Sequence, residues 1–200
     1  MSFFSKKKKA GEHVPAVDWL VVGLGNPGDE YAQTRHNLGW MTVDVLVERL
    51  NARYWKTECG AVTARVTVDG SQVMLAKPQT FMNLSGNAVA KLADAYGVAP
   101  DHIVVIADEL DLEPGDIRTK IGGGHAGHNG HRSIIEKLQT RDYRRIRIGI
   151  GRPPGRMDPA DYVLQPLRAD AIADLHQWAD AAASVAQGIL GTAVDADLPV

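Results

Sequence analysis

Cysteine is almost absent from these 200 residues. Cys59 stands alone, which excludes a disulfide framework or a Cys-based zinc site within one chain. Aromatic residues are few, at 6%, and no apolar run approaches the roughly 20 residues that a membrane-crossing helix needs. A secretory pattern is also missing, because Lys6-Lys7-Lys8-Lys9 follows Phe3-Phe4 with no long apolar stretch behind it. These absences point to the cytoplasm and to no membrane partner. Net charge is small as well, −2 overall, which would argue against a nucleic-acid partner if the charge were evenly spread. It is not. Residues 1–114 carry 11 Lys and Arg against 14 Asp and Glu, residues 115–156 carry 10 against 3, and residues 157–200 carry 1 against 7. A concentrated basic block is the footprint expected for phosphate contact, and the whole-chain total hides it.

What is present is ordinary for a soluble domain, with 44% apolar and 23% charged residues and a length that suits one core. Apolar strand-like runs occur at 19–24 and 102–107, and a shorter alternating strand is expected at 144–150. A hairpin signal, Asp69-Gly70-Ser71, separates 61–68 from 72–76. Helical periodicity covers 85–96, 130–139 and 169–190, and Asn37 is placed to cap a helix reaching residue 51. Ile172, Leu175, Val185 and Ile189 are the expected contacts of the last helix. This interleaving predicts an α/β fold: a single domain with a central twisted, mixed, mostly parallel sheet and helices on both faces. The domain is expected over 18–194, between a disordered basic arm at 1–17 and a tail at 195–200.

Four polar or glycine-rich junctions punctuate the pattern. The first, Gly23-Leu24-Gly25-Asn26-Pro27-Gly28, leaves the end of an apolar strand, where α/β proteins bind ligands. It matches G-x-G-x-x-G in letters but not in context. A dinucleotide turn opens straight into a helix, whereas Pro27-Gly28 forces a turn and a polar segment follows. Glu48, at a spacing suited to a ribose contact, falls inside the next helix. The segment continues through Tyr31 to Thr34-Arg35-His36-Asn37. The other junctions are Phe81-Met82-Asn83-Leu84-Ser85-Gly86, Asp108-Glu109-Leu110-Asp111, and the glycine-rich run 122–130 with His125, His128 and Asn129. The spacing of His125, His128 and His131 invites a metal, but the first two lie in a glycine-rich loop without an acidic or Cys ligand nearby, so no metal is expected. Ser85 lacks the G-x-S-x-G setting of a nucleophilic serine and reads as a helix start.

In collinear order over residues 19–190, these four junctions resemble the bacterial-type peptidyl-tRNA hydrolase family. The resemblance implies hydrolysis of the ester joining a peptidyl group to tRNA, by a monomer that needs no cofactor. It implies that His36 is the general base, that Asp108 orients and stabilises its imidazole, and that Asn26, Asn83 and Asn129 are active-site amides. Which of the three amides meets the oxyanion stays open. Met82 matches a pocket-lining position, for which core packing is an equal reading, and Tyr31 and His128 are candidates for the site wall. Lys120 and Arg147 match a basic pair that grips a tRNA phosphate. The chain departs from the family in its lysine arm, in its acidic C-terminal end and in His131, which replaces an apolar residue. The competing expectation is an RNA-binding protein on the same fold without catalysis.

Overall fold

β1 (Trp19–Gly23) and β5 (Ile103–Glu109) are near-continuous apolar runs, as strands buried on both faces must be. They lie side by side in the centre of one seven-stranded sheet in the computed structural model, which describes residues 16–52 and 56–191. Around them come β2 (Lys56–Glu58), β3 (Ala61–Val68), β4 (Ser71–Pro78), β6 (Ile117–Ile121) and β7 (Arg144–Gly149), in the order β2-β3-β4-β1-β5-β7-β6. The central run β4-β1-β5-β7 is parallel throughout and the three remaining pairings toward both edges are antiparallel, so the sheet is mixed as expected but not mostly parallel. The expected hairpin joins β3 to β4. Its two turn residues, Asp69 and Gly70, both have positive φ, which matches the right-handed twist of the strands they connect.

Each face of the sheet is covered by two helices. α1 (Leu38–Arg49) and α5 (Ala169–Gly191) pack over Val21, Leu75, Ile106 and Ile146 on one side. α2 (Ser85–Tyr96) and α3 (Asn129–Leu138) pack over Leu20, Val22, Met74 and Val105 on the other. α2 has the expected span and ends on Gly97 in the left-handed conformation. α5 differs from expectation in its contact face. Leu175 is buried as expected, but Ala179, Ala182, Ala183, Ala186 and Leu190 complete the buried stripe, while Ile172, Val185 and Ile189 are only partly covered. Alanine offers no long side chain to hold the two helices apart, so α5 lies close against α1.

Two short elements were not foreseen. β2 is only three residues long, too short for periodicity to register. α4 (Pro159–Leu164) did carry a signal, since Asp158 accepts from the Ala160 N–H at 2.8 Å and Pro159 takes the first helical position. Asn37 is also corrected: its side chain makes no cap bond to α1 and is engaged elsewhere. Val17, assigned to the arm, is buried in the core. Residues 1–15 of the arm, including Lys6–Lys9, and the tail at 195–200 lie outside the described residues. No helix among the described residues is long and apolar enough to cross a membrane.

Gly39 sets how α1 meets the sheet. A Cβ there would lie 2.3 Å from the Ile106 carbonyl oxygen and 2.4 Å from the Leu24 amide nitrogen. Those are backbone atoms, so no rotamer change can make room. Bare backbone at Gly39 lets the start of α1 sit on the ends of β1 and β5, three residues after His36 and beside Asp108. Gly39→Ala is therefore expected to lose at least about 2 kcal/mol of stability, within the usual range for overpacking. Urea unfolding measures this, and an unchanged midpoint would show that the close approach is not needed.

Candidate active site

The C-terminal ends of β1 and β5 are neighbours, and all four junctions come together there. β1 ends in the loop carrying Asn26, β5 carries Asp108 near its own end, a 3-10 turn (Arg35–Asn37) presents His36, and a second (Met82–Leu84) presents Met82 and Asn83. His128 and Asn129 open α3.

Asn26 is held by its backbone and its side chain together. Its N–H donates to Asn37 Oδ1 at 2.9 Å, and Asn37 Nδ2 donates back to the Asn26 carbonyl at 3.0 Å. Asn26 Oδ1 accepts from the Met82 N–H at 2.8 Å. With that oxygen committed, the free valence of the Asn26 amide is its NH2 group, a donor only. Asn37 is the residue that sequence reasoning misplaced. Its position beside His36 was a hint, but the reciprocal pair with Asn26 spans 11 residues and depends on the turn between them.

His36 Nδ1 lies 2.9 Å from Asp108 Oδ1, and His128 Nε2 lies 3.2 Å from the same oxygen. The protons can be placed by elimination. His128 Nδ1 accepts from the Gly130 and His131 N–H groups at the start of α3, at 3.1 and 3.4 Å, so it carries no proton. The proton of His128 is thus on Nε2 and donated to Asp108. His36 donates its Nδ1 proton to Asp108 too, which leaves the Nε2 lone pair of His36 without a partner among the described residues. Burial works against charge on His36, but the Asp108 carboxylate outweighs it, by its charge and its hydrogen bond, and raises the imidazole pKa above its ordinary value. Asp108 is buried too, yet the His36 charge and the donated hydrogen bonds of both imidazoles hold its carboxyl far below the usual carboxylate range.

The three regularly spaced histidines do not converge. His125 Nδ1 accepts from the Gly127 N–H at 3.1 Å, and His131 is buried with Nδ1 3.0 Å from the Tyr143 hydroxyl. Burial above all, with the nearby Arg145 charge adding to it, keeps His131 neutral, its pKa well below the ordinary imidazole value. The histidine–carboxylate group that does converge is His36, Asp108 and His128, whose ligand atoms lie within 4.8 Å of one another. Two of those atoms are N–H donors to a single oxygen, so a cation would have to displace both protons. The donor set fits a hydrogen-bonded triad better than a metal site.

All eight residues expected at the site, Asn26, Tyr31, His36, Met82, Asn83, Asp108, His128 and Asn129, line one cavity of about 860 Å³. Met82 lines the cavity and also packs in the α2/α3 core. Asn83 and Asn129 are exposed at its surface. Tyr31 meets Phe81 edge to face, and α4 supplies the opposite wall through Pro159, Val163 and Leu164. Ser85 is fully buried, its hydroxyl donating to the Met82 carbonyl, and cannot act as a nucleophile on the cavity. Lys120 and Arg147 do not line the cavity. Lys120 is exposed on β6, and the register pairs it with Arg145 and pairs Arg118 with Arg147, so four cations share one sheet face. Arg147 Nε donates to Glu109, itself a cavity residue, at 2.9 Å.

A histidine tied through one nitrogen to a buried carboxylate, at a cavity that a fixed amide donor also lines, suits an enzyme that hydrolyses by general-base chemistry on an α/β sheet. The peptidyl-tRNA hydrolase family model matches residues 20–198. The chain is 56% identical over 151 residues to the peptidyl-tRNA hydrolase of Nocardia farcinica, covering 75% of this chain and 78% of that one. It is 57% identical over 148 residues to the one from Rhodococcus opacus, covering 74% and 78%. The crystal structure of peptidyl-tRNA hydrolase from Acinetobacter baumannii matches with a TM-score of 0.80 at 38% identity, over 91% of this chain and 92% of that one. The chain belongs to the peptidyl-tRNA hydrolase family.

The proton assignment has a direct test in the titration of His36, followed by imidazole NMR. In the wild type the ring should titrate above 6.5, because Asp108 stays ionised throughout. Asp108→Asn removes both raising influences and leaves burial alone, so the ring should then titrate below 6.5. An unmoved midpoint would mean that Asp108 does not govern His36.

Proposed function

We propose that the protein hydrolyses the ester between a peptidyl or N-acylaminoacyl group and the terminal ribose of tRNA, releasing free tRNA for reuse in translation. The observation that carries this reading is the unused Nε2 of His36, on a ring fixed by Asp108, at a cavity that also holds the Asn26 amide donor. His36 Nε2 takes a proton from water as the water oxygen attacks the ester carbonyl carbon. The resulting imidazolium is stabilised by Asp108, and His128 holds the same carboxylate oxygen from the other side. The carbonyl oxygen gains charge in that step, and the Asn26 NH2 group is the donor restricted to meeting it. Collapse of the intermediate breaks the bond to the ribose oxygen, which leaves with the proton from His36.

Asn83 and Asn129, at the exposed mouth, have both amide functions available and suit the N–H and C=O groups of a peptide. Tyr31 and Met82 supply apolar walls. Lys120 and Arg147 are assigned to the tRNA phosphate. Arg147 uses its Nε–H on Glu109 and keeps its terminal NH2 groups for that contact. On this reading the protein works in the cytoplasm as a monomer, with tRNA as its partner and without a cofactor. A purely RNA-binding role leaves the buried His–Asp pair and the cavity unexplained.

Release of N-acetylamino acid from N-acetylaminoacyl-tRNA by the pure protein is the test. His36→Ala should slow it by about 10²–10⁴-fold, the contribution of a positioned base. Turnover should persist in excess chelator, and its loss with recovery on adding zinc would overturn the metal-free mechanism.

Lys120→Ala should raise KM for whole tRNA with kcat nearly unchanged, and should flatten the salt dependence of binding by a slope of about 0.7–0.9. An equal loss on a short CCA-ended fragment would remove Lys120 from the phosphate contact.

A further inference from the structure

Arg145 is the one cation of the basic sheet face that is buried, at 4% exposure. Its two terminal nitrogens donate to backbone carbonyls of the glycine-rich loop, NH1 to Gly124 at 2.5 Å and NH2 to Gly123 at 2.7 Å. The guanidinium lies over the Tyr143 ring, 4.6 Å from its centroid, and the Tyr143 hydroxyl meets His131 on α3. Gly122 and Gly123 both have positive φ, so the backbone turns sharply where the arginine holds it. Gly122 is tied to the Tyr143 carbonyl through its N–H. Beyond it, up to His128, the bonds from Arg145 are the only hydrogen bonds among the described residues that reach this loop from outside it. The downstream end of the loop is His128, which caps α3 and donates to Asp108, followed by Asn129.

We propose that Arg145 is a positioning residue: its fork of two N–H···O bonds fixes the glycine-rich loop and so places His128 and Asn129 at the cavity. A planar guanidinium suits this task because it presents parallel donors to two successive carbonyls, which an ammonium cannot do. It follows that Arg145 takes no part in phosphate binding, although it sits in the same strand and on the same face as Arg147. Both of its terminal nitrogens are engaged by the loop carbonyls, its Nε is buried, and almost none of the residue meets solvent. The aromatic support adds to the fixation, since Tyr143 is itself fully buried and touches both the arginine and α3.

The proposal rests on the hydrolytic reading for its kinetic part only, so the test pairs kinetics with a measurement that needs no substrate. Full-length wild type, Arg145→Lys and Arg145→Ala are compared by amide hydrogen exchange. The His128, Gly130 and His131 amides should exchange about tenfold faster in both variants, while amides of β1 and β5 keep their protection. Acceleration everywhere in proportion would show general destabilisation and overturn the proposal, as would no acceleration at the loop. On N-acetylaminoacyl-tRNA, both variants should lose about 10- to 10²-fold in kcat/KM, the scale of a displaced substrate-positioning group. Low-millimolar guanidinium should restore part of the loss in Arg145→Ala but not in Arg145→Lys, and salt dependence of binding should keep the wild-type slope. A flattened slope, or full activity in Arg145→Lys, would make Arg145 a charge contact and refute the positioning role. If the wild type itself releases no product, the reaction assignment falls, and the exchange data still decide the role of Arg145.

Discussion

One carboxylate oxygen, Oδ1 of Asp108, accepts hydrogen bonds from two imidazoles, and the rest of the site is arranged around that demand. A buried carboxylate is costly unless its lone pairs are met, and donors from opposite sides meet them here. His36 arrives from the turn before α1 and His128 from the start of α3, so elements on both faces of the sheet are tied to a single atom. The consequence for chemistry lies in the unequal fate of the two rings. The second nitrogen of His128 is consumed by α3 backbone donors, whereas the second nitrogen of His36 has no such duty. Both nitrogens of one ring are committed, and the other ring keeps one nitrogen without a partner among the described residues.

Backbone geometry makes that convergence affordable. Gly39 allows the start of α1 to lie on the ends of β1 and β5, and Gly86 does the same between α2 and α3, where a Cβ would meet the Ser133 carbonyl oxygen at 2.1 Å. The Asn26–Asn37 pair then closes the first loop over the result. Because Asn26 is bonded through backbone N–H, backbone C=O and side-chain oxygen at once, its remaining donor has little freedom. Preorganisation of that kind is what makes a neutral amide effective toward a developing charge.

The basic block divides by burial. Arg145 is turned into scaffold, Arg147 is half-buried and balanced by Glu109, and Lys120 and Arg118 remain in solvent on the edge strand. Neighbouring cations on one strand pair thus serve different ends, and formal charge alone does not separate them. The same holds for the histidines: His128 and His131 are three residues apart on one helix start, yet one faces the carboxylate and the other a tyrosine hydroxyl.

Sequence by itself determined the α/β class, the hairpin, α2 to the residue, and the four junctions that carry the site, because each rests on local periodicity or turn chemistry. It also placed eight side chains that share one cavity, although that came from motif resemblance and not from spacing. What it misjudged was set by contacts between distant parts of the chain. Asn37 reads locally as a cap, but a partner across the preceding loop offers its amide two bonds instead of one. The alanine stripe of α5 looks weakly apolar in one dimension and becomes a contact face only beside α1. Arg145 is counted in the basic block of residues 115–156 with nothing to set it apart, and only its bonds to the glycine-rich loop and its burial do so. Tautomers lie furthest beyond the sequence. Which nitrogen of His36 is free follows from its bond to Asp108, and which nitrogen of His128 carries the proton follows from the backbone donors of α3; both are decided only where these elements meet at the end of β5.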